Sequence, residues 1–385
     1  MTRDGPTWLL YAVLACLGFM LNGLGAVLAP LQADLQVSRA QVAFYPSLFA
    51  AGLLAVGAFG GPLVARAGRS VALQAALAAL MLGGSLLAVP ARAITLAGAV
   101  LLGAGGALLV QLVPALLAGL HPQAVTAAVG EANAVSSTAS VLAPLAVAAT
   151  LAGGLGWRLG YLAFPLTALA MLLLQARRTV LPAPPDPRPG GSPAGDGAAA
   201  PMLGRWTDVL LAVSAEFCMV FWAPSALADW HGATTDQAPA VAALFLVGMA
   251  GGRALAAPVT RWLPAARAVL LAGSGLAAAG FAVFWAAPTL ALAGVGLLVA
   301  GLGVALLYPA TVSRAVAAWP HAPDQAAARA ALASGLAIGG APYLLARLAD
   351  ATGLRPAYLL VPAFLLGLAV HAATDRRREP VRVAS

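Results

Sequence analysis

Three charged residues, Glu131, Glu216 and Arg253, stand deep inside long apolar stretches, alone among 34 formal charges. A charge at the centre of a bilayer costs about 2.5–3.5 kcal/mol on insertion scales, so it is normally paired or faces a wet cavity. A carboxyl taken out of water at mid-stretch, as Glu216 is, favours its protonated form and can exchange a proton in the physiological range. That makes Glu216 the candidate for proton coupling. The guanidinium of Arg253 matches carboxylate geometry in a bidentate way, which points to recognition of an organic or inorganic anion. Neutral polar and aromatic groups lie at similar depth: Asn22, Gln111, Asn133, Trp222 and Tyr308. Each could meet a solute or serve as interhelical glue, which contributes about 0.6 kcal/mol on average. Cys218, Met219 and Met249 offer soft sulfur that suits Cu(I), or ordinary core filling.

No other chemistry competes. The sequence has no Walker motif, no nucleophile–His–acid set and no metal-ligand cluster. His121, His231, His321 and His371 are scattered in loops or near stretch ends. Hydrolysis is therefore not expected, and neither a cofactor nor a resident metal is called for. The net charge of +8 comes entirely from arginine, since the chain contains no lysine. Those arginines are concentrated between apolar stretches, where they set membrane orientation rather than bind nucleic acid.

The elements that must position these groups are transmembrane helices. Of 385 residues, 61% are hydrophobic and 9% charged, against about 25% charged in a soluble protein. A span needs roughly 20 apolar residues. Six such spans lie near 8–32, 41–64, 70–90, 93–118, 125–152 and 157–176, and six more near 205–228, 238–262, 266–287, 290–314, 326–347 and 355–374. They are too long and evenly apolar for barrel strands. The first is too long for a signal-peptide core and reads as an uncleaved helix.

Placing both termini in the cytoplasm puts 15 arginines inside and five outside, the arrangement that the positive-inside rule selects. Tryptophans 8, 157, 206, 230, 262, 285 and 319 fall near span ends, where indole prefers the interface, while Trp222 lies within span seven. Residues 177–204, rich in Pro, Gly and Ala, read as a cytoplasmic linker between an N-terminal bundle (1–176) and a C-terminal bundle (205–385). Cys16 and Cys218 both lie inside spans, so no disulfide framework is expected.

The halves resemble each other at an offset of 198. Gly103, Gly105, Ala107, Leu108 and Leu109 match Gly301, Gly303, Ala305, Leu306 and Leu307, and Ala143-Pro144 matches Ala341-Pro342. Tyr161 and Pro165 have near-counterparts in Tyr358 and Pro362. Parallel repeats of this kind are a transporter signature.

The segment Gly61 to Arg69, between spans two and three, is similar to the G-x-x-x-D-R-x-G-R loop of the major facilitator superfamily. Gly61, Arg66, Gly68 and Arg69 match, with Ala65 at the acidic position. The Gly156-Trp157-Arg158 start of span six and the Gly301-x-Gly303 to Tyr308-Pro309 stretch of span ten are also similar. The resemblance implies an all-α membrane protein of two pseudo-symmetric six-helix bundles, with residues 61–69 as an inner-face latch. It implies further that spans one, four, seven and ten line the path, so that Asn22, Gln111, Glu216, Trp222 and Tyr308 could meet substrate. Spans five and eight face each other in that family, and Glu131 and Arg253 sit at equal depth on them. An interdomain gate pair between the two is the expectation. Span five carries Ala143-Pro144 without the glycines of the family's antiporter signature, and no sugar-porter signature is present.

The function expected is a proton-linked secondary transporter of a small solute by alternating access, an anion mildly favoured. It would act as a monomer in the bacterial cytoplasmic (inner) membrane, with the lipid bilayer as its surroundings. Multidrug or metabolite efflux, copper transport, and a non-transporting receptor or assembly factor are the alternatives.

Overall fold

The computed structural model describes residues 3–178, 199–263, 265–318 and 323–374. Most of the expected linker (179–198), Trp319 and His321 lie outside these described residues. Twelve spans form among them. Span one is Gly5–Leu35, span two Arg39–Val42 and Phe44–Ala67, span three Arg69–Leu87, span four Arg92–Leu120 and span five Val125–Ala152. Span six opens with a π-helical turn, Leu159–Ala163, and continues as Phe164–Arg178. Span seven is Ala199–His231, span eight Gln237–Ala254 and Ala256–Trp262, and span nine Ala266–Ala286. Span ten is Leu290–Val304 and Leu307–Ala317, span eleven Pro323–Thr352, and span twelve Leu354–Ala357 and Leu360–Thr374. Eleven contain a stretch long and apolar enough to cross a membrane. Span eight is the remaining one, interrupted at Leu255, two residues after Arg253.

Local sequence sets the ends. The Asp4 carboxylate accepts from the Thr7 backbone N–H at 3.0 Å, capping span one, and Ser38 with Gln41 forms a capping box at the start of span two. Gly68 adopts φ 81° between spans two and three, a conformation side-chain-bearing residues rarely take. Outward faces carry bare apolar side chains such as Leu82, Met171 and Leu366, all more than half exposed. Such a surface needs lipid. Trp8 and Trp262 sit exposed at span ends as expected, but Trp157 is buried, its indole N–H donating to Asp34 at 2.9 Å.

The internal repeat has a physical cause. A Cβ on Gly103 would strike the Phe49 carbonyl of span two, and one on Gly301 would strike the Phe245 carbonyl of span eight. In each half, one glycine lets span four or ten lie directly on its neighbour's backbone. The tyrosines repeat too: Tyr161 donates to the Met20 carbonyl (2.7 Å) and Tyr358 to the Cys218 carbonyl (3.3 Å). Met20 and Cys218 are 198 residues apart. The two bundles are thus built on one plan.

Spans one and seven, two and eleven, and five and eight pack across the bundles. At the end away from the linker these contacts are polar and close. Arg39 pairs with Asp229 (3.1 Å), the Ala40 N–H donates to Asp350 (3.2 Å), and Ser47 donates to the Gly339 carbonyl (2.7 Å). Phe44 and Tyr343 add a ring contact at 5.2 Å.

Candidate functional site

Span eight delivers Arg253 in its last turn before the break at Leu255. Its Nη1 donates to Ser137 Oγ of span five at 3.3 Å, and its Nη2 stands 3.6 Å from Glu216 Oε1 of span seven. Arg253 therefore touches both bundles. Glu216 is buried, its side chain 11% exposed, while that of Arg253 is 40% exposed. Tyr308 of span ten is about one-third exposed and has Ser334 of span eleven and Glu216 as neighbours. Five spans meet here, contributing one base, one acid and three hydroxyls.

The expected Glu131–Arg253 gate pair does not form. Glu131 instead takes a bidentate pair of hydrogen bonds from Arg3, at 2.8 and 2.9 Å, and a third from the Tyr11 hydroxyl at 3.0 Å. All three groups belong to the N-terminal bundle. The cross-bundle partner of Arg253 is a neutral serine, and its acidic partner lies in its own bundle.

The other candidates separate into lining and packing residues. Gln111 and Asn133 are exposed. Asn22 is a bridge, donating to Ser140 Oγ of span five (3.0 Å) and to the Gly18 carbonyl (3.1 Å). Trp222 is fully buried, its indole N–H given to the Pro342 carbonyl at 3.0 Å, so it joins spans seven and eleven and does not face a cavity. Cys218, Met219 and Met249 are all buried. The Cys218 carbonyl accepts from the Tyr358 hydroxyl at 3.3 Å. Among the described residues no group of three or more His, Cys, Asp or Glu stands ready to hold a metal ion. Arg66, Gly68 and Arg69 stand at the turn between spans two and three, where Gly68 breaks the helix, while Gly61 lies earlier in the span-two helix.

Sequence reading missed a second buried polar group. Asp208, at the linker end of span seven, is fully buried. It hydrogen-bonds His371 of span twelve and lies 3.8 Å from Arg205 and 3.9 Å from Arg314 of span ten. Arg314 is itself only 6% exposed. Both residues look like span edges in the sequence, and only the fold brings three helices together over them. Removing one partner of a buried ion pair costs about 3–5 kcal/mol, because the other charge stays buried. Asp208→Ala should lower the thermal-unfolding midpoint of the purified protein by several degrees at least; an unchanged midpoint would show that the cluster contributes nothing to folding.

At the linker end, then, Arg3–Glu131 and Asp208–Arg314 are each satisfied within one bundle, whereas the cross-bundle contacts named above run from the far end down to Arg253. The two halves are joined at the far end and met at mid-depth by one shared arginine.

This geometry can be placed among known proteins. Among curated proteins no sequence matches. The chain superposes on a bacterial homolog of the human lysosomal transporter Spinster in an inward-facing, occupied conformation, with a TM-score of 0.72, 16% identity and 97% of each chain covered. It superposes on a D-xylose-proton symporter with a TM-score of 0.74, 17% identity, and 96% of this chain and 97% of that one covered. At such identities the likeness speaks for the fold alone. The sequence family is decided separately: the Major Facilitator Superfamily profile matches residues 9–322. With two like-built bundles of six spans and a match over most of its length, the chain belongs to the Major Facilitator Superfamily and is a multi-pass membrane transporter.

Proposed function

We propose that this transporter is a proton-linked carrier of a small solute, working by alternating access between bundles 1–176 and 205–385 tethered by 177–204. The observation that carries the reading is the position of Arg253, held between Ser137 of one bundle and Glu216 of the other. Glu216 is the proton site. When it is ionised it holds Arg253 within the C-terminal bundle; when it takes a proton the guanidinium is released to Ser137, to Tyr308 or to a solute group. The Glu216 carboxylate and the solute then compete for one cation, so that protonation of Glu216 favours solute binding, which couples the two. The solved D-xylose-proton symporter shows that this fold can support such coupling.

Arg253 is already charge-matched by Glu216, so an anionic substrate is no longer favoured over a neutral polar one. The arginine distribution supports a cytoplasmic linker and cytoplasmic termini in a bacterial inner membrane. In that orientation the bundles are closed on the outer side.

The test is counterflow in proteoliposomes against D-xylose, a set of carboxylic acids and a lipophilic cation, with a trapped pH dye. Solute flux accompanied by proton movement, both lost in Glu216→Gln, is expected. Flux with no proton movement removes the coupling. Uptake of the lipophilic cation alone would favour efflux, and no flux of any solute would favour a receptor.

A further inference from the structure

A second site lies on the flank of the N-terminal bundle, away from Arg253. Spans one, five and six enclose a cavity of about 410 Å³, within the range of about 300–1,000 Å³ typical of small-molecule sites. Its walls are apolar side chains, among them Trp8, Phe19, Val135, Ala139, Ala168 and Met171. Trp8 is 55% and Met171 66% exposed, so the groove opens outward from the bundle.

Its length and its end point to a particular occupant. The wall on span one runs from Trp8 to Phe19, about 16 Å at 1.5 Å per residue, roughly half of a 30 Å hydrocarbon core. That is the depth of one leaflet, with Trp8 at the level where indole marks the interface. One turn below the apolar wall on spans one and five the residues become charged. Glu131 precedes Val135 on span five, and Arg3 and Asp4 precede Trp8 on span one. Tyr11 belongs to both regions, lining the groove and donating to Glu131. Arg3 and Glu131 keep side-chain exposures of 54% and 35%, leaving each open to a second partner. Asp4 is held charged, its carboxyl kept below the usual range by hydrogen bonds from Thr7. Among the described residues the mouth thus presents two acids, Glu131 and Asp4, beside Arg3, with Arg177 following the groove wall on span six.

We propose that this groove binds an acyl chain of a zwitterionic, amine-bearing glycerophospholipid from the linker-side leaflet, its phosphate on Arg3 and its ammonium towards Glu131 and Asp4. The two acids beside the arginines suit that headgroup over a purely anionic one, because they give its ammonium a partner. The site does not depend on which solute the carrier moves.

Native mass spectrometry of delipidated, purified protein tests it, with dioleoyl phosphatidylethanolamine and dioleoyl phosphatidylglycerol as competing probes. The ethanolamine adduct should exceed the glycerol adduct at least five-fold. Ala168→Phe, which fills the groove, should reduce the ethanolamine adduct at least five-fold, and Glu131→Gln should erase the headgroup preference. If Ala168→Phe does not accumulate, quenching of Trp8 by ethanolamine lipid with brominated chains, read as the difference from Trp8→Phe, decides the same point. Equal adducts of both lipids, an adduct undiminished by filling the groove, absent Trp8 quenching, or a dimer mass in place of lipid overturns the proposal.

Discussion

Arg253→Ala should abolish counterflow and destabilise the protein, whereas Glu216→Gln should abolish proton-coupled flux at little cost in stability. The asymmetry follows from burial. Glu216 is 8% exposed as a residue, and deleting its partner leaves a carboxyl with neither water nor cation. Stranding one member of a buried pair costs about 3–5 kcal/mol. The figure here belongs at or below the lower end, because the arginine side of the pair is 40% exposed and screened. In Glu216→Gln the amide needs no counter-charge, and Arg253 keeps Ser137 and reaches water. The double variant Glu216→Gln/Arg253→Gln should therefore regain the stability that Arg253→Ala loses, yet remain inactive. Thermal-unfolding midpoints and counterflow rates of the three variants check both halves of this expectation. Equal destabilisation in the two single variants would mean that the pair is not the buried unit described. Wild-type flux in Arg253→Ala would remove Arg253 from the transport cycle.

For the three charges deep in the spans, sequence and structure part company at the choice of partner, not at the choice of residue. A charge in an apolar span is conspicuous because of its insertion cost, so Glu131, Glu216 and Arg253 are legible in the chain itself. Which charge each one meets depends on helix rotation and on residues outside the spans. Arg3 reads as a topological charge before span one, yet it is the group that satisfies Glu131. Ser137 sits in the run Val135-Ser-Ser-Thr-Ala, where no residue stands out, and it becomes special only when span eight is laid beside span five. Asp208 is hidden for the opposite reason. It lies close to an expected span boundary, where acidic residues are normally wet, and the burial comes from His371 and Arg314 arriving on other helices. The architecture was easier to read, since close packing leaves a covalent record. Gly103 and Gly301 recur because a Cβ cannot share space with a carbonyl, and that constraint survives in an otherwise repetitive Ala/Leu chain.

The same constraint across the bundles gives the second large effect. Gly25 of span one faces span seven so closely that a Cβ there would meet the Val220 carbonyl and lie 3.2 Å from Phe221 Cα. Both obstacles are backbone, so neither can turn aside. Gly25→Val should hold the far end apart and break the contacts that follow it, Arg39–Asp229 and Ser47–Gly339. Overpacking costs about 1–3 kcal/mol, which moves a two-state equilibrium by roughly 5- to 150-fold. Each bundle keeps its own core, so the penalty falls on the closed state and not on folding. Counterflow should drop at least ten-fold while the unfolding midpoint changes little. A cysteine at Ser47, shielded by span eleven in the parent protein, should become reactive to a membrane-impermeant maleimide from the far side. Gly340→Ala serves as the control, because nothing stands within 4 Å of a Cβ at that position. A Gly25→Val protein that transports normally with Ser47→Cys still protected would show that spans one and seven do not need this contact to close.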